Sequence, residues 1–203
     1  MELIDALHAL RAVSPLEIGA VAFGVLYLVL AIRQNILCWP AGLIGSLLSV
    51  ALLFEARLYG ESVLNLFYAA MSVYGWQQWR AGRDAEDGEP PVRTWPAAAH
   101  AAAIGGTLAV SAALGWAMSY TPAQFPYVDA WVTVASLVTT YMVAKKILEN
   151  WVYWFVIDGL SAYLSFARGL PLYAALNVLY LVMIIIGFYR WHRDWRAQPA
   201  LAV

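Results

Sequence analysis

Trp151, Trp154, Asp158 and Ser161 are separated by steps of three, four and three. On an α-helix that spacing puts all four on one face. Asp158 stands about eight residues from either end of the apolar stretch 150–167. A carboxylate that deep is ionised only beside water, a cation or several donors. The two indoles upstream offer flat π-faces, which attract an organic cation or stack on a planar ring. The chemistry this face can do is recognition of a flat, positively charged solute, with Asp158 as counter-charge. The alternatives are an internally paired carboxyl and tryptophans that anchor the helix at a membrane interface.

Asn65 and Tyr68 recur in the same spacing as Asn177 and Tyr180. An asparagine amide both donates and accepts, which suits a ligand amide or hydroxyl. It equally suits a hydrogen bond between helices. Asp129, Thr133, Ser136 and Thr140 follow steps of four, three and four, again one helical face. As a stripe they are expected to face a wet cavity, although each hydroxyl can also bond its own backbone. Tyr74, Trp76, Trp79 and Trp191 fall near the ends of their apolar stretches and read as interface anchors. Gly75 and Gly187 beside them point to close helix packing.

Other chemistry is missing. His8, His100 and His192 have no metal-ligand partner at useful spacing, so no metal is expected. No G-x-x-x-x-G-K-[ST] loop is present to cradle ATP, and no nucleophile–base arrangement stands out. No cofactor is expected. Cys38 is the single cysteine, which excludes an internal disulfide framework.

The elements that position these side chains follow from composition. The 203 residues are 63% hydrophobic and 12% charged, against roughly 45–50% and about 25% in soluble domains. Mean hydropathy is +0.65, net charge −1 and pI near 6.3. That excludes a soluble domain, a disordered chain and a nucleic-acid binder. Stretches long enough to cross a bilayer as helices occur at about 16–34, 39–56, 59–79, 95–119, 127–145, 150–167 and 171–191. Ser14-Pro15-Leu16-Glu17 has capping-box spacing with proline at the first helical position. Leu3, Ile4, Leu7 and Leu10 could form a short helix on the membrane surface. The segment ahead of the first span does not read as a secretory signal peptide. Nine of the twelve Lys and Arg collect on one side of these spans; only Arg11, Arg57 and Arg168 lie on the other. Positive charge prefers the cytoplasm. The N-terminus is therefore expected outside and the C-terminus inside, as seven spans require.

The chain also repeats. Shifted by 112 residues, positions 39–80 and 151–192 share twelve identities in 42 without a gap. Both copies read N-x-x-Y-x-x-M-x-x-x-G-x-x-x-W. Two three-helix units with one extra span between them keep the same orientation. The expected fold is an all-α membrane protein of seven transmembrane helices in a 3+1+3 parallel repeat, SWEET-like. In repeat-built carriers the substrate lies near the midplane between repeats. Residues 1–80 form the first repeat with its surface helix, 81–94 a cytoplasmic loop, and 95–126 a linker helix. Residues 127–192 form the second repeat and 193–203 a cytoplasmic tail.

Four segments carry a family resemblance: Asn35 to Gly45 (NILCWPAGLIG), Tyr74-Gly75-Trp76-x-x-Trp79, Glu149-Asn150-Trp151-x-x-Trp154 followed by Asp158 and Ser161, and Phe125-Pro126-Tyr127-x-Asp129 with Ser136. Together they resemble the Pnu vitamin transporter family from about residue 16 to 192. The resemblance implies a homotrimer in the bacterial inner membrane and facilitated diffusion. It also implies a separate cytoplasmic kinase that phosphorylates the imported vitamin and traps it. It places Trp151 and Trp154 in the substrate site as the family's W-x-x-W, and Asn65 and Asn177 where relatives carry polar side chains near the substrate. Nicotinamide riboside is the substrate it favours. Thiamine, also flat and cationic, is the first alternative; riboflavin is neutral and leaves Asp158 harder to explain. From a different class, an intramembrane enzyme acting on lipid is disfavoured by the missing metal ligands and nucleophile.

Overall fold

The computed structural model describes residues 14–57, 59–86, 90–122, 124–169 and 171–198. The surface helix expected at 2–11 lies outside the described residues. Among the described residues seven helices follow in order: α1 Pro15–Ile32, α2 Cys38–Glu55, α3 Tyr59–Glu86, α4 Ala97–Met118, α5 Pro126–Ala144, α6 Asn150–Ala167 and α7 Pro171–Ala197. The start of α1 is capped as its sequence demands: the Glu17 N–H donates to Ser14 Oγ at 3.1 Å, behind Pro15.

Five of these helices contain a stretch long and apolar enough to cross a membrane: α1, α2, α4, α5 and the segment Ala174–Ala197 of α7. The other two, α3 and α6, carry the polar residues of interest. Their Asn65, Asp158 and Asn150 lower the hydropathy that marks a span. α3 and α7 also run further than their apolar stretches, to Glu86 and Ala197. Hydropathy ends where charge begins, but backbone hydrogen bonding does not depend on side-chain polarity, so both helices run on into charged residues. The loop expected at 81–94 therefore begins as helix, and so does the tail expected at 193–203.

The helices pack α1 on α2, α2 on α3, α5 on α6 and α6 on α7. Contacts of α3 with α5 and of α7 with α1 close the arrangement, while α4 lies along α5. Positions 112 residues apart occupy matching surroundings. Gln34 (φ 55°) and Lys146 (φ 53°) both adopt the left-handed conformation just past a helix end. So do Arg57 (φ 61°) and Gly169 (φ 71°). The Asn35 N–H donates to the Leu30 carbonyl, and the Ile147 N–H to the Met142 carbonyl, each at 2.9 Å.

The core is built on four indoles. Trp39 lies against Gly75 and Trp151 against Gly187. Trp39 meets Trp79 edge-on at 5.4 Å, and Trp151 meets Trp191 edge-on at 5.4 Å. Trp79 and Trp191 join the two pairs at 6.3 Å. The interface-anchor reading of Trp79 and Trp191 is thus corrected: both are fully buried. Glycines at 75 and 187 open room for an indole, and packing that much apolar surface outweighs an interfacial position. Beside this core, residues 90–95 form a strap. The Arg93 N–H donates to the Lys146 carbonyl at 2.9 Å, and the Leu148 N–H to the Arg93 carbonyl at 2.8 Å.

Candidate substrate-binding site

A cavity of about 800 Å³ lies among the helices, walled by all of them except α4. One end is bordered by Glu17 and Ala56, near the ends of α1 and α2 that carry Arg57. The other end stops at Trp39, Val143, Asn150 and Trp151. A volume of this order holds a small vitamin.

The face of α6 singled out by its spacing is one wall. Asn150 begins the helix, its Nδ2 donating to the Ile147 carbonyl at 2.6 Å. Trp151 is fully buried, with its ring against Gly187 and an edge on the cavity. Trp154, half-buried, and Asp158 follow at successive steps along the same wall. Ser161 is not among the lining residues; its hydroxyl donates to the Ile157 carbonyl at 2.9 Å. Tyr68 of α3 and Tyr180 of α7 line the cavity and stand close enough to Asp158 to feel its charge. Among the described residues no hydrogen bond or ion pair engages the Asp158 carboxylate. Among the described residues the cavity wall holds two acids, Glu17 and Asp158, and no Lys, Arg or His. Its field therefore favours a cation.

The two repeated asparagines are not equivalent. Asn65 borders the cavity, with Nδ2 donating to the Glu61 carbonyl one turn back at 2.9 Å and its Oδ1 left for another partner. Asn177 lies off the wall and donates to Ser165 Oγ at 3.4 Å. The α5 stripe is likewise divided. Thr140 lines the cavity, but its hydroxyl donates to the Ser136 carbonyl at 2.7 Å. Ser136 is buried behind it, within reach of the Tyr68 side chain. Thr133 is not on the wall. Asp129 is bound at the helix start by Arg168, whose Nη2 lies 2.6 Å from both carboxylate oxygens. The stripe thus mostly holds helices together, because α5 is packed on several sides by α3, α4 and α6.

Sequence reasoning missed the contribution of α1 and α2. Tyr27, Ser46 and Ser49 line the cavity, as does Ser72 of α3. Tyr27 leans over Gly42, where a Cβ would crowd its ring, and meets Trp39 edge-on at 6.1 Å. The signal available was the small-residue run Gly42, Gly45, Ser46 and Ser49 on α2, which leaves space beside it.

Comparison with known proteins gives this geometry its context. The family model for the nicotinamide mononucleotide transporter matches residues 14–193. The riboflavin/roseoflavin transporter RibM of Streptomyces davaonensis is 32% identical over 177 residues, covering 85% of this chain and 80% of that protein. The nicotinamide riboside transporter PnuC of Escherichia coli is 25% identical over 214 residues, covering 92% and 88%. PnuC of Neisseria mucosa is 28% identical over 189 residues, covering 85% and 70%. The crystal structure of the vitamin B3 transporter PnuC superposes with a TM-score of 0.76 at 21% identity, over 98% of this chain and 89% of that one. This protein belongs to the nicotinamide mononucleotide transporter family, the PnuC group of membrane vitamin transporters.

Proposed function

We propose that the protein imports a flat, cationic aromatic vitamin, nicotinamide riboside foremost, across a bacterial inner membrane. The observation that carries this reading is Asp158. It lines the cavity together with Tyr68 and Tyr180, and among the described residues no cation lines that cavity. A bound pyridinium ring would supply the missing positive charge, and Trp154 would lie against its face. Asn65 would meet the carboxamide or ribose hydroxyls. Thiamine offers the same charge and is the alternative within this chemistry.

Transport is proposed as facilitated diffusion, with a separate cytoplasmic kinase trapping the vitamin. The working architecture is two three-helix units in parallel orientation with α4 between them, assembled as a homotrimer. Its support is the sequence repeat and the matched surroundings of positions 112 apart. The N-terminus is placed outside by the Lys and Arg distribution, which puts the end near Glu17 outside and the end at Trp39 and Trp151 toward the cytoplasm.

Riboflavin is the second reading, favoured by the 32% identity with RibM. Vesicles containing the purified protein separate these readings. Nicotinamide riboside should enter unmodified, down its gradient, and faster than riboflavin. Preferential entry of riboflavin would replace the substrate assignment, and chemical change of the solute would replace the carrier assignment with an enzyme.

A further inference from the structure

Between the closed end of the cavity and the cytoplasmic ends of the helices lies a buried polar cluster that does not line the cavity. Its centre is Lys146, just past α5 and almost fully buried. The ammonium donates to Gln34 Oε1 at 3.0 Å and to the Pro90 carbonyl at 2.9 Å. It also lies 4.6 Å from the centre of the Trp79 ring. Gln34, just past α1, is buried too, and its Nε2 donates to Asp194 Oδ2 of α7 at 2.9 Å. Trp191 Nε1 donates to the Ala31 carbonyl at 3.1 Å. One ammonium thus ties the α1–α2 turn, α3 and the 90–95 strap to the α5–α6 turn. The Gln34 amide extends the tie to α7.

We propose that the Lys146–Gln34 hydrogen bond is the latch that closes the cytoplasmic exit of the cavity. It joins equivalent positions of the two halves, so any rocking of one half against the other must stretch it. Few side chains combine reach with reversibility as Lys does here. Two oxygens and a π-face are among the groups that meet the charge when closed, and water can take their place once the exit opens. The proposal rests on the carrier reading, because a latch has meaning only where a solute must leave.

Cys38 is a native reporter. It is the protein's only cysteine, fully buried at the start of α2, four residues beyond Gln34 and next to Trp39. Opening of the exit would expose it. The experiment measures the rate at which a water-soluble maleimide modifies Cys38 in the purified, detergent-solubilised full chain, where both faces are accessible. Gln34→Ala should raise the rate about tenfold, the scale of one lost hydrogen bond to a charged donor. Lys146→Met should raise it as well. The exchange variant, Gln34→Lys with Lys146→Gln, keeps one ammonium and one amide across the same junction and should return the rate toward wild type. Unchanged rates in both single variants overturn the latch. Raised rates that the exchange does not lower also overturn it, because they indicate general loosening. Neither result depends on which vitamin is carried; failure of the carrier reading shows instead in the vesicle uptake experiment.

Discussion

Trp39 lies against Gly75 as Trp151 lies against Gly187, and in both places a Cβ on the glycine would overlap the indole ring. The close approach of helix to ring is what buries all four core tryptophans. Gly75→Ala and Gly187→Ala should each destabilise the protein by about 1–3 kcal/mol, the usual cost of forcing volume into a packed core. Gly105 of α4 faces open space, so Gly105→Ala should be neutral or slightly stabilising. Thermal unfolding of the three variants in detergent checks this. Equal loss at Gly105 would mean that glycine flexibility, and not the indole contact, sets the effect.

The asparagine pair predicts an asymmetry that the repeat alone would not. Asn65→Ala should weaken substrate binding about tenfold, since a ligand polar group loses its partner. Asn177→Ala should change affinity by less than about twofold, because Asn177 bonds Ser165 away from the cavity. Side-by-side titration of the two variants gives the comparison, and equal losses would move the site toward α7.

At the opposite end of the helices, the Asp129–Arg168 pair is partly exposed, with side chains 24% and 32% accessible. Screening by solvent limits such a pair to about 1 kcal/mol or less. Arg168→Ala should therefore lower thermal stability only slightly, and less at high salt. It should leave the KM of uptake unchanged, as neither residue borders the cavity. A large rise in KM would place the pair in the entry path.

The helices were legible from their apolar runs, although only five contain a stretch long and apolar enough to cross a membrane, and the expected limits fall within about three residues of the observed ends except at α3 and α7. Those two overrun because a span and a helix end for different reasons. The α6 wall was legible because Trp151, Trp154 and Asp158 share one face of one helix. Asn177, Ser136 and Thr133 lie off the cavity wall for a common cause. Spacing tells which residues share a face, but not whether that face meets a cavity or another helix. Tyr27 was invisible for the converse reason: its place depends on the absence of a side chain at Gly42, on the next helix. Trp79 and Trp191 looked like interface anchors because they fall near the ends of their apolar stretches, whereas the glycines that receive Trp39 and Trp151 draw whole indole pairs inward.

The central claim is that Asp158 is the counter-charge for a cationic vitamin. Calorimetry of nicotinamide riboside and riboflavin against the wild-type protein, Trp154→Ala and Asp158→Asn tests it most directly. The exchange of Asp for Asn keeps the shape and removes the charge. The account predicts that nicotinamide riboside binds the wild type and loses about tenfold or more in affinity in both variants, the scale of a lost cation–π contact or charge-assisted interaction. Equal affinity for nicotinamide riboside in wild type and Asp158→Asn, or binding of riboflavin alone, would contradict it.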